Sequence, residues 1–206
     1  NFGQFGPASI SNSYANGAVS SSGINVQLGG LVGQNDPGAQ ITNSQATGNV
    51  TSTASLSPGN TNGSCSGSGT CNYVNVGGYV GANFGSISGT TWTTAPTNCA
   101  ASYACASGAV SVGALGSGGG FAGMNQGIIS YAFATGGVTG TAGQANTGTD
   151  TFDNTTSLGG FVASNQGQIS HSFATGSVGT AATMWLSAGG FAADNHGAMD
   201  SSFATG

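Results

Sequence analysis

One short pattern returns along this chain at fixed internal offsets, and that self-similarity constrains the fold more than any other feature. A Gly-Gly-apolar step recurs at Gly29-Gly30-Leu31, Gly77-Gly78-Tyr79, Gly119-Gly120-Phe121, Gly159-Gly160-Phe161 and Gly189-Gly190-Phe191. Four residues beyond each apolar residue stands an asparagine: Asn35, Asn83, Asn125, Asn165 and Asn195. A glycine follows two residues on, at Gly85, Gly127, Gly167 and Gly197, and Pro37 delays it to Gly38 in the earlier copy. Ile41, Ile87, Ile129, Ile169 and Met199 come next, followed by Phe-Ala-Thr-Gly or a variant, as in Phe173-Ala174-Thr175-Gly176. Val50, Val110, Val138 and Val178 stand two residues past that glycine. Residues 1–19 fit as a partial copy through Ile10, Tyr14-Ala15-Asn16-Gly17 and Val19, and the sixth copy runs to Phe203-Ala204-Thr205-Gly206. The shared part spans 20 residues, as in 159–178, and starts are 48, 42, 40 and 30 residues apart, so spacers of variable length separate the copies.

The apolar pieces are short and bounded by Gly, Asn or Thr, which reads as strands and turns rather than helix. Fixed repeats with variable spacers describe a solenoid whose insertions leave at its corners. The expected fold is all-β: a parallel β-helix of about six coils in one segment over 1–206, with loop insertions at about 51–76, 88–105 and 139–157. Stacking at about 4.8 Å per coil would give a rod roughly 25–30 Å long. It would place Leu31, Tyr79, Phe121, Phe161 and Phe191 in one inward column, Ile10, Ile41, Ile87, Ile129, Ile169 and Met199 in a second, and Val19, Val50, Val110, Val138 and Val178 in a third. The asparagines would form an amide ladder at a turn, each bonded to the next, in a residue that tolerates left-handed backbone. The paired glycines would allow tight corners or close backbone approach.

Composition narrows the partners. There is no Lys, Arg or Glu, and five Asp give a net charge of -5. Charged residues are 2% of the chain, against about 25% in an average domain. Glycine supplies 40 residues where average usage predicts about 14. Periodic hydrophobic residues, at 37%, argue against disorder. Without cations no nucleic-acid partner is expected. No apolar run reaches the about 18 residues of a membrane span, so no membrane insertion is expected. The chain opens at Asn1 without a charged signal region, so any export signal is expected outside this sequence.

The pattern Gly-Gly-Phe-Val-x-x-Asn-x-Gly-x-Ile-Ser-x-Ser-Phe-Ala-Thr-Gly-x-Val, as at 159–178, resembles the GLUG repeat of large bacterial surface and secreted proteins, among them filamentous-haemagglutinin-like adhesins. The resemblance covers the cores of all six copies and not the spacers. It implies a right-handed parallel β-helix on the cell surface or in the extracellular matrix. The third copy departs from it by an insertion between Ile87 and Ala106, and Gln45 and Cys105 stand where other copies have Phe or Tyr, so that column is expected to be only partly buried.

Cys65 and Cys71, and Cys99 and Cys105, form two Cys-x5-Cys pairs. In secreted material an even count suggests disulfides, and four cysteines allow three connectivities. Cys65–Cys71 and Cys99–Cys105 are the expected bridges, with a zinc site as the alternative although no histidine is near in sequence. No catalytic residue, cofactor or resident metal is expected. Asp150 with Asp153, and Asp194 with Asp200, are the pairs a glycosidase would draw on; Asp36 and these four read more simply as turn residues. His171 occupies a position filled by Asn12, Asn43 and Tyr131 elsewhere, and His196 one filled by Phe84, Gln126 and Gln166, which suggests surface or turn roles. Trp92 and Trp185 lie outside the repeat cores, where packing against the solenoid or sugar stacking are the choices. Thr47, Thr135, Thr175 and Thr205 would form a threonine column, interrupted by Asn16 and Ser107, as a weak ice-binding signal.

The expected function is non-enzymatic: extracellular structural or adhesive material, as fibre, filament or biofilm matrix, with a host or glycan receptor as external partner. A carbohydrate-binding or carbohydrate-cleaving β-helix is the alternative, and an ice-binding solenoid the third reading. Incomplete first and last copies suggest either part of a longer chain or a subunit stacking end to end, because an open coil edge templates further pairing.

Overall fold

The structure, a computed structural model, describes residues 8–55, 73–100, 102–141, 155–180 and 186–206. Within them are twenty-seven short strands in five sheets, every pairing parallel and every neighbour one coil away. The chain is a parallel β-solenoid. No helix occurs among the described residues.

A complete coil contributes one strand to each sheet. The second coil runs Val26–Gly29, Val32–Asn35, Gln40–Thr42, Gln45–Ala46 and Val50–Ser52. The register between coils aligns like residues with one another. Ile10, Ile41, Ile87, Ile129, Ile169 and Met199 pair in sequence. So do Val19, Val50, Val110, Val138 and Val178, and Ala15, Ala46, Ala106, Ala134, Ala174 and Ala204. Insertions leave this register untouched. The strands Ala104–Ala106, Val74–Gly77 and Thr156–Gly159 begin inside the segments 88–105, 51–76 and 139–157, so the excursions are shorter than sequence suggested.

Two buried cores run along the axis. The larger combines the Ile and Ala columns with Val80, Ala122 and Val162 and the stacked rings of Tyr79, Phe121 and Phe161. Those rings lie 4.4 and 4.9 Å apart, and Phe191 continues the stack at 4.8 Å. The separation is that of neighbouring strands, so the coil repeat itself sets the aromatic stacking. The second core joins Val50, Val110 and Val138 to Val74, Val76 and Leu158 of the sheet preceding the paired glycines.

Two corner expectations divide. The ladder asparagines are not left-handed. At the bend after the Ile strand the left-handed residues are instead Asn12, Asn43, Tyr131, His171 and Ser201, with φ from 47° to 51°; Asn25, Ser102, Leu115 and Gly38 also have positive φ elsewhere. The second glycine of each pair has ordinary φ and is needed for space: a Cβ on Gly30, Gly78, Gly120 or Gly160 would run into the carbonyl oxygen of its counterpart in the next coil.

Candidate functional site

The asparagine column is a continuous amide ladder. Asn35 Nδ2 donates to Asn83 Oδ1 at 2.8 Å, Asn83 to Asn125 at 2.8 Å, Asn125 to Asn165 at 2.8 Å and Asn165 to Asn195 at 2.7 Å. The first four side chains are buried and Asn195 is exposed. The second hydrogen of Asn83 and of Asn125 reaches the carbonyl of Gly85 (3.3 Å) and Gly127 (3.4 Å), two residues on. A glycine is required there because a Cβ at Gly127 would lie 2.9 Å from Asn83 Nδ2. The Asn-x-Gly element of the repeat is thus one hydrogen-bonded unit. It fixes register, since a slip would strand several buried amides without partners.

A second ladder went unread in the sequence. Ser44 and Ser172 follow the left-handed corner and donate through Oγ to Thr42 O and Ser170 O. Their oxygens also accept from the backbone of the preceding coil, from Ser13 N and Ala132 N. The signal is present as the Ser before Phe-Ala-Thr-Gly, and reading it required knowing where the corner falls.

The Phe of Phe-Ala-Thr-Gly points outward, opposite to the Ala beside it. Cys105, Phe133 and Phe173 are nevertheless buried, because the insertion of the third coil folds back as a strap over them through Trp92, Ala95, Cys99 and Tyr103. Cys99 and Cys105 are disulfide-bonded with Cα atoms 5.5 Å apart, tying the strap to the strand it covers. Beyond the strap the column opens: Tyr14 is 72% exposed and Phe203 45%. Cys65 and Cys71 lie outside the described residues, as do Asp150, Asp153 and Trp185.

Among the described residues the titratable groups do not converge on one site. Asp194 and His196 form an exposed pair at 3.2 Å. Asp200 accepts from Ser201 Oγ. His171 stacks on Tyr131 at 4.7 Å, one coil apart at the left-handed corner. Among the described residues no three His, Cys, Asp or Glu side chains are grouped as a metal would need, and no helix is long and apolar enough to cross a membrane. Thr47 and Thr175 are exposed and Thr135 is half-buried, so the threonine column lies on the outer surface beside the strap. Among the described residues one buried side-chain polar atom is orphaned: Tyr79 Oη, inside the larger core, has no hydrogen-bond partner. Burial pushes this hydroxyl's pKa well above its ordinary value. The Ser44 hydroxyl opposes that rise slightly without reaching hydrogen-bond geometry, being already engaged with Thr42 and Ser13.

With the ladder and register in place, the comparison with known families is direct. The family model described as the GLUG motif matches residues 24–51. Residues 24–51 are a GLUG motif. The matched stretch is the second coil, and the strand pairings carry its Gly29, Asn35, Ile41 and Val50 into register with equivalents in the later coils. No curated protein and no solved structure matches the chain. GLUG motifs occur in extracellular repeat proteins, and this chain presents that repeat as a stacked rod.

Proposed function

We propose that this GLUG solenoid is extracellular structural and adhesive material, a rigid segment of a bacterial surface fibre or matrix filament, and that it carries out no catalysis. The observation behind this reading is the unbroken axial register: amides, aliphatic side chains and backbone all bond along one direction, as in load-resisting stacked sheets. The near absence of charge fits material that must pack closely. The lack of Lys and Arg leaves no site for trypsin-like proteases outside the cell. Coil edges stacking on further coils, of the same chain or of a second copy, would extend the rod.

Native surface material should show, by electron microscopy and fibre diffraction, rods with a meridional spacing of about 4.8 Å. On intact cells the protein should be removed by chymotrypsin-like cleavage and persist through trypsin. Recovery only from the cytoplasm, or only as short isolated particles in native material, would overturn the reading.

A further inference from the structure

The strap does more than cover the outward phenylalanines. Phe133 and Phe173 stack at 4.9 Å with an interplanar angle of 1°. The Trp92 centroid is 5.9 Å from each of them, with interplanar angles of 77° and 76°. A ring equidistant from two stacked rings sits beside the stack, level with the gap between them. The indole thus makes perpendicular aromatic contacts with both rings at once. Trp92 is therefore held against the rod by two rings from successive coils. Tyr103 is 6.0 Å from Trp92 and 5.8 Å from Phe133, a nearly equilateral triangle that places Tyr103 on the solenoid side of the strap with Phe133. Phe133 and Phe173 are fully buried while Trp92 is half-buried, so the solvent-exposed part of the indole lies on the side away from the solenoid.

Polar side chains stand near that exposed side. Tyr131 stands perpendicular to Trp92 at 5.5 Å and carries exposed His171 stacked on its own ring. Thr90 Oγ1 donates to Asn43 Oδ1 at 3.1 Å at the base of the strap. The chain has no Lys or Arg to attract an acidic ligand. An aromatic plane fixed on a rigid support and bordered by hydroxyl, amide and imidazole groups matches the two faces of a pyranose, apolar C–H on one side and hydroxyls at the rim.

We propose that Trp92, held by the Cys99–Cys105 strap and flanked by Tyr131 and His171, is a binding platform for an uncharged glycan. The platform stands on ring geometry and not on the proposed structural role, so its failure would leave the fibre reading intact. The disulfide acts as a positioning element: it holds the strap, and the strap holds the indole.

The test uses the whole chain with Trp185→Phe, which leaves Trp92 as the single indole. Its fluorescence is titrated with cellohexaose, maltohexaose and chitohexaose, with hexagalacturonate as the acidic comparison. Saturable shifts are expected with at least one neutral hexasaccharide and not with the acidic one. Trp92→Ala, followed by calorimetry, should weaken that binding about tenfold or more, as loss of one stacking contact implies. Trp92→Phe should retain part of it, and reduction of the disulfide should weaken binding while circular dichroism stays unchanged. No response to any neutral hexasaccharide at millimolar concentration would overturn the proposal. So would equal binding by Trp92→Ala, or a preference for hexagalacturonate.

Discussion

Tyr79 offers the sharpest test of the packing argument. It occupies the column filled by Phe121, Phe161 and Phe191, its ring stacks on Phe121, and its hydroxyl is buried without a partner. An unsatisfied buried hydroxyl costs about 1–3 kcal/mol. Tyr79→Phe installs the residue of the three following coils and removes only that oxygen, so it should stabilise by about 1–2 kcal/mol. For a chain of this size that corresponds to a rise of about 3–6 °C in melting temperature. The pH dependence gives an independent reading. Below about pH 10 the tyrosine is neutral in both states. Above it the unfolded chain ionises while the buried hydroxyl, its pKa raised, keeps its proton. The unfolded state then binds fewer protons, and stability falls as pH rises. Urea titrations of wild type and Tyr79→Phe between pH 7 and 11 should diverge above pH 10, the wild type losing more. If Tyr79→Phe melts at or below the wild-type temperature and the curves stay parallel, the hydroxyl has a partner and the account of this core is wrong.

Other perturbations probe the ladder, the strap and the surface. Asn125→Ala would leave Asn83 Nδ2 and Asn165 Oδ1 facing a gap, and should cost about 3–5 kcal/mol in urea unfolding. Reducing Cys99–Cys105 should destabilise by about 2 kcal/mol on loop-closure grounds and red-shift Trp92 emission as the strap loosens. Gly120→Ala would drive a Cβ into the Gly160 carbonyl and to 3.1 Å from Ala134 Cβ, and should cost about 3 kcal/mol or more; Gly17→Ala, with nothing within 4 Å, should change stability by about 0.5 kcal/mol or less. Ser170→Asp would set a carboxylate in register beside Asp200, costing about 1 kcal/mol at low ionic strength, and the loss should shrink in 0.5 M salt.

The columns that repeat residue identity were legible in the sequence. In a parallel, in-register stack the same offset means the same position, so Ile41, Ile87 and Ile129, or Asn35, Asn83 and Asn125, needed only to be counted. The sheet before the paired glycines was hidden for the converse reason. Leu28, Val76, Leu158 and Ala188 differ in kind and follow excursions of different length, so counting forward from the valines loses them. Counting backward from Gly29, Gly77, Gly159 and Gly189 recovers them, each one residue before. The outward direction of Phe173 was masked by the corner. Ile169 and Phe173 are four apart, which on a continuous strand means one face. The left-handed His171 between them breaks the alternation, so Ala174 joins Ile169 in the core and Phe173 faces the strap. The aromatic platform was beyond sequence because its rings come from a strap and two coils, and no spacing rule relates them.

The stacking that makes the columns also explains the composition. Any residue in a repeated strand lies about 4.8 Å from its counterparts above and below. For Ile, Val or Phe that multiplies favourable contact, and for Asn it closes a donor-to-acceptor chain. For Lys, Arg, Asp or Glu it would place like charges above and below every member, at about 1 kcal/mol per contact even in water-like surroundings. Alternating signs coil by coil would relieve this, but a repeat that copies itself cannot alternate. Neutrality is the solution open to it. The paired aspartates in this chain obey the same rule: Asp194 lies in register with Ser164 and Asp200 with Ser170, so neither faces another carboxylate. Low charge in this protein therefore follows from the stacked geometry, and a solenoid of the same pitch that carried a charged column would need a counter-charged column beside it.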